Sequence, residues 1–338
     1  MLNTEGPATD SGGGKERGTM ANTASALWFT LLLGGMLLVN GATDTPVAIA
    51  GAVGAGVLSP GCGVILAAAA NLLGLWCAVV CFPGVGHTVA ELAVFPDEET
   101  ARRCICAGMT AAIAFAVLAW RYGLPSSESH ALLAGVSGAA WIRGIPVAGH
   151  VWVRVGGGVL LCVLPALLLS RVIGRQLSAR AGDRTSNRQL SRGLVATAAW
   201  EAWLHGAQDG QKFYALYLLS RAGQKTAKWE GLWWIGGLLA IGCLLGGGRI
   251  LRTVSGELGY RDPANGVGSA LGCNGALLLC TLLGLPASTT HAKVCALIGA
   301  SGSGTSRPDP MTVRRLIRSF VWTVPACFAI GALISAFI

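Results

Sequence analysis

The chain has 338 residues, 53% of them hydrophobic and only 12% charged, with a mean hydropathy of +0.58. A soluble domain carries about a quarter charged residues, so this composition excludes a water-solvated globule and calls for a bilayer as solvent. The net charge of +9 does not indicate nucleic acid, because the basic residues lie in short stretches between apolar runs, as the positive-inside rule places them.

Residues 1–24 are polar and rich in Gly, Ser and Thr, and read as a disordered tail. No convincing secretory signal is present, so the first apolar run reads as a retained span. A first membrane repeat is expected over 25–173. Its first element, from about Ser25 to Val57, is interrupted by Asn40-Gly41-Ala42-Thr43-Asp44-Thr45-Pro46. An acid flanked by Gly and Pro predicts a broken helix. The second element is CGVILAAAANLLGLWCAVVCF and the third is ICAGMTAAIAFAVLAW. The fourth, LPSSESHALLAGVSGAAWI, is too polar at its start for a simple span and reads as a re-entrant or broken segment. The fifth is VWVRVGGGVLLCVLPALLLSRVIG. Residues 174–192 are rich in Arg and read as a cytoplasmic loop.

A second repeat is expected over 193–338, again with about five elements. Its first is interrupted at His205-Gly206-Ala207-Gln208-Asp209-Gly210. Trp229, Trp233 and Trp234 in the next read as an interfacial aromatic belt. Then come NGVGSALGCNGALLLCTLLG, the hydroxyl-rich LPASTTHAKVCALIGA and a last apolar run. The 11 Cys form no CxxC pair and read as polarizable filler. His87 and Glu91 lack a third ligand nearby, so no metal site is expected.

The halves repeat. Asp44 and Asp209 differ by 209 − 44 = 165, and His130 and His291 by 291 − 130 = 161. LPSSESHALLAGVSGA and LPASTTHAKVCALIGA align without a gap. Two motifs at nearly one offset indicate an internal duplication. Five elements per half make the second repeat inverted. The expected fold is an all-α polytopic membrane protein of two inverted repeats.

Both SSESH and STTH follow a Pro and lead into small-residue helices. Hydroxyls at a helix start, with its unpaired N–H groups and positive dipole end, suit a tetrahedral oxyanion. A carboxylate at mid-membrane costs at least roughly 2.5–3.5 kcal/mol and should be paired or functional. Asp44 and Asp209 therefore suit a hard cation or a proton relay. Glu201, eight residues before Asp209, is a further proton carrier. Lys212 and Lys293 either attract an anion or snorkel to the interface.

Together these residues resemble the inorganic phosphate transporter (PiT) family. Its GANDxAN-type motif is matched by Gly41-Ala42-Thr43-Asp44 and Gly206-Ala207-Gln208-Asp209, and its P-x-S-x-x-H-type segment by Pro125 to His130 and Pro286 to His291. Thr43 and Gln208 stand where that motif has Asn, and Glu128 stands where a Thr is expected. The resemblance implies symport of inorganic phosphate, or of sulfate, coupled to sodium or protons and without a cofactor. It implies an anion site of Ser126, Ser127, Ser129, His130, Ser288, Thr289, Thr290 and His291. Asn40, Thr43, Asp44, Gln208, Asp209 and Glu201 would serve the coupling ion. Such a protein sits in the cell membrane, surrounded by lipid, as a monomer or homodimer. The rival from another class is an intramembrane hydrolase using Ser127 or Ser288 with a His and an Asp.

Overall fold

The computed structural model describes residues 12–180, 184–220, 227–257, 263–301 and 309–338. In chain order the helices are α1 (Gly12–Gly54), α2 (Pro60–Cys81), α3 (Gly84–Ala90), α4 (Glu98–Arg121), α5 (Glu128–Ile142), α6 (Gly149–Arg180), α7 (Arg184–Ser220), α8 (Ala227–Leu245), α9 (Gly248–Arg252), α10 (Pro263–Leu282), α11 (Thr289–Ser301) and α12 (Pro310–Phe337), with a π-helical turn, Thr253–Glu257, after α9. No strand occurs among the described residues. The ten expected elements are α1, α2, α4, α5, α6, α7, α8, α10, α11 and α12; α3, α9 and the π turn are additions.

Six of these helices are long and apolar enough to cross a membrane: α1, α2, α4, α6, α10 and α12. Trp229–Leu245 and Gly248–Gly256 together make a seventh such stretch, bent by 59°. At 37 residues and 1.5 Å rise each, α7 is long enough too; its buried Glu201, Asp209 and Lys212 keep it out of a hydropathy count. By the same rise, the 15 residues of α5 and 13 of α11 span about 22 Å and 20 Å, short of the roughly 30 Å hydrocarbon core. Capping fixes the ends of several helices. Asp97 accepts the Thr100 N–H at 2.8 Å at the start of α4, and this bond holds its carboxyl below the usual range.

Three expectations change. First, neither acid motif breaks its helix. α1 runs unbroken through Asn40–Pro46 and α7 through His205–Gly210. Their glycines serve close packing rather than unwinding. A Cβ on Gly206 would lie 2.0 Å from the backbone oxygen of Asn71 on α2, and one on Gly41 would lie 2.4 Å from that of Leu239 on α8. The acids are satisfied by side chains of other helices, so no backbone has to open. The observed break is at Gly246–Gly247, between α8 and α9, with Gly246 at φ +69°. It lies against the one irregular point of α1. Pro46 has no N–H to give the Ala42 carbonyl, and a Cβ on Gly247 would stand 2.3 Å from that oxygen.

Second, the basic stretch 174–192 is helical on both sides. Arg175 and Arg180 belong to α6 and Arg188 and Arg192 to α7, while 181–183 lie outside the described residues. Third, α1 begins at Gly12, within the stretch read as a disordered tail; residues 1–11 lie outside the described residues. Of the three tryptophans expected at an interface, Trp229 and Trp233 are exposed and pack on Trp76, whose ring centroid lies 5.6 Å and 4.7 Å from theirs.

Packing exchanges partners between the halves. α5 packs on α12 and α11 on α6, while α2 packs on α7 and α8 on α1. Gly206→Ala should therefore unseat α7 from α2. Overpacking costs roughly 1–3 kcal/mol, occasionally more, and a contact with rigid backbone belongs at the upper end. The check is the fraction of detergent-solubilised protein that stays monodisperse after heating. Gly275→Ala, where nothing lies within 4 Å, should behave as wild type; equal survival of the two variants would contradict the packing role.

Candidate functional site

Four side chains from two helices meet at the centre. Asn40 and Asp44 lie one turn apart on α1, and His205 and Asp209 one turn apart on α7, so each pair shares a helix face. All four are buried. Asn40 Nδ2 donates to Asp44 Oδ2 at 3.3 Å and to Asp209 Oδ2 at 3.1 Å. From the other side, His205 Nε2 stands 3.6 Å from Asp44 Oδ2 and 3.4 Å from Asp209 Oδ2. Asn71 Oδ1 on α2 faces His205 Nδ1 at 2.5 Å and so turns Nε2 toward the carboxylates. Ligand atoms of Asp44, His205 and Asp209 all lie within 4.8 Å of one another. That donor set, two carboxylates and an imidazole, suits a small cation or a shared proton.

The short helices α5 and α11 bring their N-termini to this centre. Ser127 caps α5, accepting the His130 N–H at 3.5 Å, and Ser288 caps α11, accepting the His291 N–H at 3.2 Å. Two residues further on, the hydroxyls cross between the halves. Ser129 Oγ donates to Asp209 Oδ1 at 3.0 Å, and Thr290 Oγ1 to Asp44 Oδ1 at 3.1 Å. His130 and His291 face each other with ring centroids 5.2 Å apart, and Phe320 of α12 meets the His291 ring edge-on at 3.9 Å. Neither Nε2 has a hydrogen-bond partner. Two buried, unspent imidazole nitrogens between two helix N-termini are suited to an incoming anion.

The sequence-predicted residues divide accordingly. Ser126, Ser127, Ser129, His130, Ser288, Thr290 and His291 are all buried, and Thr289 is half-buried. Of the coupling-ion set, Asn40, Asp44 and Asp209 come together. Thr43 instead bonds the carboxyl of Glu128, which turns that acid toward α1. Gln208 points at the approach to α11, donating to Thr281 Oγ1 at 2.9 Å and accepting the Ala287 N–H at 3.3 Å. Glu201, one turn before His205 on α7, is in contact with Lys293. Lys212 and Lys293 are fully buried rather than snorkelling. His205 is the functional candidate that the sequence reading passed over. Its position less the repeat offset, 205 − 165 = 40, is that of Asn40, so the duplication already marked it. Asn71, inside an apolar run, carries no such mark.

The Ser127–His130 contact, 2.9 Å from Oγ to Nδ1, is no catalytic triad. No carboxylate among the described residues bonds either histidine of α5 and α11, and the serine is spent on a helix cap.

A sequence profile described as the phosphate transporter family matches residues 40–181 and 174–331. The chain belongs to that family. This member of the phosphate transporter family is a multi-pass membrane protein, and its family consists of transporters rather than enzymes. It is similar to a protein of Bacillus subtilis (strain 168) described as "Probable low-affinity inorganic phosphate transporter", with 29% identity over 87% of this chain and 91% of that one. A protein of Rhizobium meliloti (strain 1021) with the same description is also 29% identical, over 92% and 93%. A Mycobacterium bovis (strain ATCC BAA-935 / AF2122/97) protein, described in the same words, is 28% identical over 87% and 72%. The solved structure of "The sodium-dependent phosphate transporter" superposes with a TM-score of 0.75 at 18% identity, over 93% of this chain and 98% of that chain. At that identity the likeness speaks for the fold.

Proposed function

We propose that this phosphate transporter family member imports inorganic phosphate by symport with sodium or protons, through two inverted repeats. The anion enters between the N-termini of α5 and α11, and the cation is held beside Asp44, in the centre that this acid shares with Asp209. The observation that carries this reading is the crossed pair of bonds from Ser129 to Asp209 and from Thr290 to Asp44. Each acid is gripped by the short helix of the opposite repeat, so a change of charge at an acid is felt where the anion sits. That gives coupling a physical path: one arrangement of the helices suits both ligands or neither. The partner exchange between halves is what two repeats related by a pseudo-two-fold axis would produce.

The test is uptake of labelled phosphate into proteoliposomes, with sodium and proton gradients imposed separately. Concentrative uptake driven by either gradient is expected, with unlabelled phosphate competing better than sulfate. Uptake no faster than in empty liposomes under both gradients would refute the reading. Better competition by sulfate would move the substrate to the other tetrahedral anion.

A further inference from the structure

Lys212 is a buried charge held on three sides by oxygen atoms. It lies one turn beyond Asp209 on α7, and its side chain is fully buried. Its ammonium meets three oxygens: Asp209 Oδ1 at 2.8 Å, Ser129 Oγ at 2.7 Å and the backbone oxygen of Ala287 at 2.8 Å. An ammonium has three donors, so all are engaged and none is left for an anion. The three acceptors are a carboxylate, a hydroxyl and a peptide carbonyl. They are hard oxygen ligands converging from α7, α5 and the segment before α11, the set that an alkali cation takes up. Lys212 therefore sits where a cation would sit, and its charge is covalently attached.

The other half lacks this device. Lys212 less the offset is 212 − 165 = 47, and position 47 is Val47. The related ligands are nonetheless present: Asp44 stands for Asp209, and Thr290, at 129 + 161 = 290, stands for Ser129. Thr290 already bonds Asp44. The two acids thus stand at two related positions, one filled by a lysine and one without it.

We infer that Lys212 is a built-in cation that permanently fills the Asp209 position, so that this carrier binds its mobile cation at Asp44 alone and moves one cation fewer per anion than a carrier without that lysine. The inference rests on the symport reading. Its purpose is clear in physical terms: a tethered charge holds the Asp209 side of the centre together at any ionic composition, and leaves the gradient to act on the Asp44 side only.

Removing the lysine should reopen the position. Lys212→Ala and Lys212→Ser take away the charge and leave space beside Asp209. Equilibrium dialysis of the purified full-length protein against radioactive sodium should show one more bound sodium per chain in either variant than in wild type. In proteoliposomes the dependence of phosphate uptake on sodium should steepen, its Hill coefficient rising by about one. A variant that stays folded in sodium chloride but not in choline chloride reports the same filling through stability. The inference is overturned if both variants bind no more sodium than wild type, or if both are lost equally in the two salts. Sodium binding is read without transport, so a wild type that moves no phosphate would sink the functional proposal while this count still decides the role of Lys212.

Discussion

Asp44→Asn is expected to give a folded protein that does not transport, whereas Asp209→Asn should lose both transport and stability. The two acids share one centre and both bond Asn40, yet their surroundings differ. Asp44 has Thr290, Asn40 and the His205 ring beside it. An amide can replace the carboxylate there and keep a hydrogen bond to the hydroxyl, while the charge needed for the cation is gone. Asp209 also faces the Lys212 ammonium at 2.8 Å. Taking away one partner of a buried ion pair costs roughly 3–5 kcal/mol, since the other charge stays buried without it. Gradient-driven phosphate uptake should fall to the empty-liposome level in both variants. The thermal midpoint should drop in Asp209→Asn only, and recover when Lys212→Met is added. Equal stability of the two single variants would show that Lys212 draws little from Asp209.

The second large effect is expected at Glu201 and Lys293. This pair is buried between α7 and α11, with Glu201 one turn before His205. The first half has no ion pair there: 201 − 165 = 36 is Met36 and 293 − 161 = 132 is Leu132, both fully buried. The repeat itself thus supplies an apolar solution for the same packing position. Glu201→Met alone leaves a charged Lys293 in the protein interior and should destabilise by roughly 3–5 kcal/mol. Glu201→Met with Lys293→Leu should restore most of that loss, because a well-packed apolar pair replaces a buried ion pair at little cost. Uptake by the double variant then separates two roles. If phosphate uptake persists, the pair is structural. Loss of uptake in a stable double variant would make Glu201 a carrier of charge after all.

Much of the architecture was legible in the chain. The ten long or hydroxyl-rich elements stand where apolar runs and small-residue segments predicted them, since a bilayer demands continuous apolar surface and the demand is written locally. The offsets of 165 and 161 also pointed to the two acids and the two short helices that the fold brings together. The helix breaks were misplaced for an instructive reason. Gly, Asp and Pro near one another signal an interruption when only the local chain is considered. In the fold, Gly41 and Gly206 are there because Leu239 and Asn71 press against them, and Asp44 is held by Thr290, 246 residues away. Such partners have no local signature. The same holds for Lys212 and Lys293. A lysine near a membrane motif reads as snorkelling until the oxygens that surround it are known.

One detail sets the halves apart mechanically. Pro46 leaves α1 one backbone bond short a single turn beyond Asn40–Thr43, and its counterpart on α7, at 46 + 165 = 211, is Gln211, which keeps its N–H. A helix missing one rung bends more readily than an intact one. The bend of α8–α9 at Gly246–Gly247, seated against that same turn, gives it room to do so. In the symport cycle proposed above, α7 would be the stiff beam and α1, which carries Asp44, the flexing member.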